Sequence, residues 1–277
     1  MKVVVTGASG KAGRAVVRDL LEHGHDVLAV DLVPPTEAQA PFLLADLTDF
    51  GQTVECLAEV DAVVHLAAIP APNLHTDSAT FGSNMLSTYN VFEAARLLGL
   101  DRVVWASSET TLGLPFEREP PAYAPIDEEH PPRPETGYAL SKLLAEELAR
   151  HLHRWTGTPH IALRFSNIME PQDYERFRSF WSDPAVRRWN LWGYVDSRDV
   201  AQSCRLAVGA EIGAEHFIVA AADTVMNRPS AELMADVYPS VAYRPTAGEF
   251  DTLLSIEKAR KLLGYEPQWS WRDHITA

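Results

Sequence analysis

The chain has 277 residues, 46% of them hydrophobic, and a formal net charge of −14. That length can bury one large core, or a core and a small lobe, while the charge opposes nucleic acid and anionic membrane surfaces as partners. Cys56 and Cys204 form no C-x-x-C pair, no apolar run approaches the ~20 residues of a membrane span, and no signal-peptide pattern precedes Val3-Val4-Val5, so a cytoplasmic location is expected.

Val3-Val4-Val5 is a β-branched run of the kind a buried parallel strand shows. It leads into Thr6-Gly7-Ala8-Ser9-Gly10-Lys11-Ala12-Gly13, an amphipathic stretch over Ala15–Leu21 that ends near Gly24, and a second strand, Asp26–Asp31. Strand, glycine turn, helix, strand and terminal acid within about thirty residues make the dinucleotide fingerprint. Gly7 permits the tight turn, and Gly10 lets backbone approach a pyrophosphate at the helix amino terminus. Gly13 lets helix and strand pack closely. Ser9, Lys11 and Ala12 share that turn and join the expected cofactor-binding set.

Asp31 ends the second strand, where its carboxylate can accept hydrogen bonds from the adenosine ribose and repel a 2′-phosphate. No Arg or Lys lies between Asp31 and Arg96, and Arg14 is the one nearby base that could serve NADP. NAD is therefore the expected cofactor. Phe42–Ala45 reads as a third strand, with Asp46 and Leu47 placed to meet the adenine. Ala62–Ala68 reads as a fourth, whose end at Leu66, Ala67 and Ala68 would admit the cofactor. His65 is assigned no chemistry. Ser78–Leu98 reads as a long helix carrying Asn84. Arg102–Ala106 is a fifth strand that delivers Ser107-Ser108 at its carboxyl end, where ligand crevices of open α/β sheets lie. The loop Leu114–Pro134 holds seven prolines, is predicted to be neither strand nor helix, and suggests a substrate-site rim.

Thr136-Gly137-Tyr138-Ala139-Leu140-Ser141-Lys142 follows, continuing into the helical run Leu143–Leu152. Four residues apart, Tyr138 and Lys142 share one helical face. An ammonium beside a phenol lowers a pKa that is otherwise about 10. Such a tyrosine can exchange a proton with an alcohol or carbonyl near neutral pH.

These motifs, in this order, resemble an extended short-chain dehydrogenase/reductase of the NAD-dependent epimerase/dehydratase family. Ala162-Leu163-Arg164-Phe165-Ser166-Asn167 looks like the family's strand into the substrate pocket, and Tyr194–Val200 like its later Tyr-Val-x-x-x-Asp-Val helix start. The resemblance implies that Tyr138 is the acid/base and that Lys142 binds the nicotinamide ribose. It further implies that Ser108 hydrogen-bonds the reacting oxygen and that Asn84 supports the site. Ser108, Glu109, Ser166, Asn167 and Arg176 are the expected substrate contacts. A hydrolase nucleophile at Ser107 or Ser108 lacks a G-x-S-x-G elbow.

Departures from the family narrow the reading. Sugar-nucleotide 4,6-dehydratases carry Asp then Glu after the catalytic hydroxyl, whereas Glu109 is followed here by Thr110, so dehydration is disfavoured. In size, and in Glu170-Pro171-x-x-Tyr174 followed by Ser179–Asp183, the chain is similar to uronate dehydrogenases. Those enzymes place an Arg just after that Tyr, and here the position is Glu175, with Arg176 and Arg178 nearby. Asn167 instead matches an Asn that sugar-nucleotide epimerases use. Trp181, Trp189 and Trp192 are candidates for stacking on a sugar or for ordinary core packing, and Tyr265–Trp271 for a closing loop. No His pair has metal-ligand spacing.

The expected fold is α/β: a Rossmann-type doubly wound parallel sheet with a small carboxyl-terminal substrate lobe. Residues 1–164 would form the NAD-binding domain and 165–277 mostly the substrate lobe, with 194–220 returning to the core. The expected function is NAD-dependent oxidation of a secondary or anomeric hydroxyl of a small sugar-like molecule. An NAD-retaining sugar epimerase and a silent NAD-sensing protein are the alternatives. Family resemblance implies a homodimer through the Ser78–Leu98 and Tyr138–Arg154 helices.

Overall fold

The hydrophobic runs that alternate with amphipathic stretches along most of the chain enter one sheet. The computed structural model describes residues 1–275. In chain order its elements are β1 (Lys2–Thr6), α1 (Lys11–Glu22), β2 (Asp26–Asp31), β3 (Phe42–Leu44), α2 (Phe50–Leu57), β4 (Ala62–His65), α3 (Asp77–Leu98), β5 (Arg102–Ser108), β6 (Tyr123–Ala124), α4 (Gly137–Thr156), β7 (His160–Phe165), β8 (Ile168–Met169), β9 (Val195–Asp196), α5 (Ser197–Gly209), β10 (Glu215–Val219), α6 (Ser230–Val237), β11 (Ala242–Tyr243) and α7 (Glu257–Leu263). Short 3-10 segments cover Glu109–Leu112, Pro171–Phe180, Pro184–Asn190 and Trp271–Asp273.

The main sheet has seven strands in the order β10-β7-β5-β4-β1-β2-β3. Every pairing in it is parallel. The chain winds outward from β1 in both directions, so the doubly wound parallel sheet expected from the sequence is what forms. Its central strands are apolar without alternation because both faces are covered. Val3 and Val5 pack with Val16, Val17 and Leu20 of α1 and Val200, Ala201 and Cys204 of α5. Val4 points the other way, into Cys56 and Leu57 of α2, Phe92 of α3 and Ala145 and Ala149 of α4.

The two long helices are closed by local chemistry. The Thr76 hydroxyl accepts from the Ala79 amide at the start of α3, and the Thr136 hydroxyl accepts from Ala139 at the start of α4. Each ends on a glycine in the left-handed region, Gly99 and Gly157.

The segment 114–134 departs from expectation, because it contains a strand. Tyr123–Ala124 pairs in parallel with Ala242–Tyr243, and Ile126 continues the contact by donating to Leu253 O and accepting from Ser255 N. Tyr123 and Ala124 fall between Pro121 and Pro125, in a stretch whose N–H groups are free to pair. The carboxyl-terminal segment closes over the core. Tyr265 Oη donates to Ala220 O, Trp271 Nε1 donates to Thr224 O, and the amides of Gln268 and Trp269 donate to the Asp199 carboxylate.

Candidate active site

The turn between β1 and α1 has the geometry its glycines predict. Gly7 sits at φ +68°, and a Cβ there would lie 2.6 Å from Ala67 N. A Cβ on Gly13 would lie 2.1 Å from Gly7 O, so the backbone after β4 closes on Gly7 and the backbone of the turn itself closes on Gly13. Leu66 and Ala67, at the end of β4, donate their amides to Thr6 Oγ1; with Ala68 they are half-buried behind Gly7. Gly10 caps α1, with Lys11 and Ala12 in its first turn. Asp31 folds back onto this turn. Its Oδ2 accepts from Ser9 N at 2.9 Å and its Oδ1 from Val33 N at 3.2 Å. A helix start rimmed by glycine, with an acid at the next strand end, fits a dinucleotide.

Two basic side chains of this turn are engaged elsewhere. Lys11 pairs with Asp173, and Arg14 donates to Glu170 Oε1 at 2.7 Å and to Ser9 O at 2.7 Å. The segment from Glu170 to Phe180 is thereby fastened to the glycine turn. Arg14, the base that could have served NADP, is already paired. Asp46 turns its carboxylate onto the Thr48 amide and hydroxyl. Leu47 commits its side chain to the core beside α2 and α3, so its contact with an adenine could only come from its backbone.

Strands β5 and β7 bring the second half of the site together. Their register sets Ser108 opposite Phe165, which places Ser108-Glu109 beside Ser166. Tyr138 and Lys142 enter from α4, and both are buried. Ser108 Oγ accepts from the Thr110 amide and hydroxyl. Asn84 accepts from Ile69 N at 2.8 Å and donates to Ile69 O at 3.1 Å. Both ends of its amide therefore pin the segment after β4.

The electrostatics correct one expectation. Lys142 was expected to lower the Tyr138 pKa, but burial pushes that phenol up to about 12, with the Ser108 hydroxyl opposing and the Glu109 charge adding to the rise. Burial lowers Lys142 itself to about 8, and its Nζ donates to Ala106 O at 2.8 Å. His65, near Lys142, is held at about 3 by burial, its ring bracketed by the hydroxyls of Thr6 and Thr88. It packs within the strand, buried.

Below these residues lies a buried ion pair. Arg164 and Glu146 meet at 2.7 Å, and Ser107 Oγ donates to the same carboxylate. It ties α4 to β5 and β7 one turn beyond Lys142.

Of the remaining candidates, Asn167 is half-buried, and its carbonyl accepts from Val195 N. Arg176 is exposed on the Pro171–Phe180 segment, and its charge acts on the buried Arg187. The tryptophans serve packing. Trp192 is fully buried and donates to Pro184 O, Trp181 lies against Trp271 with ring centroids 5.3 Å apart, and Trp189 carries the Arg187 guanidinium on its face. Two residues that the sequence reading passed over stand beside Glu109: Asn190, whose Nδ2 lies 3.5 Å from Glu109 Oε1, and the buried Arg187. Their only sequence signal is that they are polar positions among tryptophans. Among the described residues no cluster could hold a metal ion, and no helix is long and apolar enough to cross a membrane.

Comparison with known proteins agrees with this geometry. Residues 3–207 match the model of the NAD dependent epimerase/dehydratase family. A uronate dehydrogenase of Pseudomonas putida is 30% identical, over 72% of this chain and 78% of its own. A UDP-glucose 4-epimerase of Corynebacterium glutamicum is 26% identical, over 97% of this chain and 91% of its own. Among solved structures, a short-chain dehydrogenase/reductase superfamily protein from Agrobacterium tumefaciens with bound NAD superposes with a TM-score of 0.75 at 25% identity, covering 98% of this chain and 94% of that one. With its glycine turn, its Asp31 and its Tyr138/Lys142 helix in place, the chain belongs to the NAD-dependent epimerase/dehydratase family, whose cofactor is NAD.

Proposed function

We propose that this protein oxidises a secondary or anomeric hydroxyl of a small sugar-like substrate. The observation that carries the reading is the convergence of Ser108, Tyr138 and Lys142 at the carboxyl ends of the strands, on the same side as the glycine turn. NAD bound there supplies the hydride acceptor. Tyr138 takes the hydroxyl proton. Its burial disfavours the phenolate, so stabilisation must come from the Ser108 hydroxyl and the Lys142 cation. Lys142, anchored at Ala106 O, reaches the nicotinamide ribose, and Ser108 donates to the reacting oxygen. Residues 1–164 serve as the NAD domain and 165–277 mostly as the substrate lobe, with 194–220 returning to the core.

We also propose a cytoplasmic homodimer, joined through α3 and α4. Leu86 and Tyr89 on α3 are each 47% exposed, and Leu140 and Leu144 on α4 each 40%. These side chains form apolar surface that the sheet does not cover.

A second reading, a cofactor-retaining sugar epimerase, is favoured by the near full-length similarity to a UDP-glucose 4-epimerase. One experiment separates the two. The purified protein is given NAD and a panel of sugars, and both NADH absorbance and sugar epimers are followed. Stoichiometric NADH supports the dehydrogenase. Epimer interconversion without net NADH on a tightly held cofactor supports the epimerase and refutes the first reading.

A further inference from the structure

Ser9 is bonded at both of its backbone groups by side chains of opposite charge. Its N–H donates to Asp31 Oδ2 at 2.9 Å, and its C=O accepts from Arg14 Nη1 at 2.7 Å. The acid placed to read the adenosine ribose and a guanidinium therefore flank one residue of the glycine turn. From there Arg14 is suited to a ribose 2′-phosphate, because a guanidinium grips phosphate with two parallel N–H donors.

The other arm of that guanidinium is taken. Arg14 Nη2 donates to Glu170 Oε1 at 2.7 Å, on a residue 156 positions further along the chain. Glu170 is set in place by its own segment. Gln172 Nε2 donates to Glu170 Oε2 at 2.8 Å, and the Glu170 amide donates to Asp173 Oδ2 at 2.9 Å. Pro171 restricts the backbone directly after it. The same segment also brings Asp173 to Lys11.

The side chains of Arg14 and Glu170 are 37% and 18% exposed, so solvent screens the pair and its attraction is modest. Its effect on cofactor choice needs no strong bond. A paired guanidinium has little net charge to offer a phosphate, and the carboxylate beside it adds repulsion of its own. Both effects act on a 2′-phosphate, and a neutral 2′-hydroxyl feels neither.

We propose that Glu170 is a specificity-determining residue for the cofactor, selecting NAD over NADP by holding Arg14 away from the ribose. Asp31 opposes a 2′-phosphate directly, and Glu170 opposes it through Arg14. The assignment rests on the glycine turn holding a dinucleotide, and it is the same for a dehydrogenase and an epimerase. The Lys11–Asp173 pair provides an internal control. It fastens the same segment to the same turn, but at the first residue of α1, where the pyrophosphate common to both cofactors is expected.

The test is fluorescence titration of the full-length protein with NADH and NADPH, read as the ratio of the two dissociation constants. Glu170→Gln should lower the NADPH-to-NADH ratio about fivefold or more, mainly by tightening NADPH. Adding Arg14→Gln to that variant should remove most of the gain, because the released guanidinium is then gone. Asp173→Asn should move both constants together and leave the ratio within about twofold of the parent. Glu170→Asp keeps the charge but is too short to hold the guanidinium, so its ratio should be intermediate. It carries the test alone should the Gln variant fail to fold. Equal changes in both constants on Glu170→Gln would mean that the residue only fastens the segment, and would overturn the proposal. So would a gain that persists in full without Arg14, since local charge alone would then account for it.

Discussion

Lys142 follows Tyr138 by one helical turn, yet its ammonium is bonded to Ala106 O and lies 5.8 Å from the centroid of the Tyr138 ring. The lysine is therefore held by β5, and the helix that carries it is indexed against the strand that carries Ser108. Holding it there has a cost. Burial lowers Lys142 from 10.5 to about 8, so between those values the unfolded chain binds more protons than the folded one. Stability contributed by this group rises with pH across that window and is at its minimum below pH 8.

Lys142→Met should consequently stabilise the protein at pH 7 while abolishing turnover. The shift sets an upper bound of about 3 kcal/mol, and the loss of the bond to Ala106 reduces the gain to about 1–2 kcal/mol. Denaturant titrations at pH 7 and pH 10 check this. The gain should shrink at the higher pH, and a variant less stable than the parent at pH 7 would count against the account.

Tyr138→Phe removes only the proton carrier. Turnover should fall by roughly 10²–10⁴ or more, with NAD affinity nearly unchanged. Near-normal activity in the variant would refute the assignment of the acid/base.

NAD should bind at least about tenfold more tightly than NADP, since Asp31 opposes a 2′-phosphate and Arg14 is already paired with Glu170. Asp31→Asn removes the charge while keeping an acceptor for Ser9 N, and should narrow the gap mainly by improving NADP. Fluorescence titration with both cofactors reads the ratio. Equal affinities in the unmodified protein would show the inference wrong.

Glu146 and Arg164 are nearly fully buried at 4–8% side-chain exposure. Glu146→Ala should destabilise by about 3–5 kcal/mol because it strands the guanidinium, whereas replacing both partners with Met should cost much less. Thermal melts of the single and double variants check the difference. A double variant as unstable as the single would indicate that packing, and not charge, sets the loss.

The exposed leucines of α3 and α4 bear on assembly. Leu86→Glu together with Leu144→Glu should convert a dimer to a monomer in sedimentation at micromolar concentration. A wild-type protein that sediments as a monomer would sink the dimer.

The Gly7/Gly10/Gly13 turn, Asp31 at its strand end, the covered valine strands and the Tyr138/Lys142 spacing were all legible in the amino-acid sequence. Each is a short-range constraint: a φ only glycine tolerates, a side-chain period, or an i to i+4 separation. The tertiary structure decided what depends on distant chain segments. Lys11 meets Asp173 across 162 positions, and Asn190 faces Glu109 across 81. No local pattern records either meeting. The proline-rich segment 114–134 acquired a strand because Ala242–Tyr243 came alongside it. The phenol of Tyr138 moved up and not down, because desolvation is set by everything packed around a group, whereas spacing reports only one neighbour.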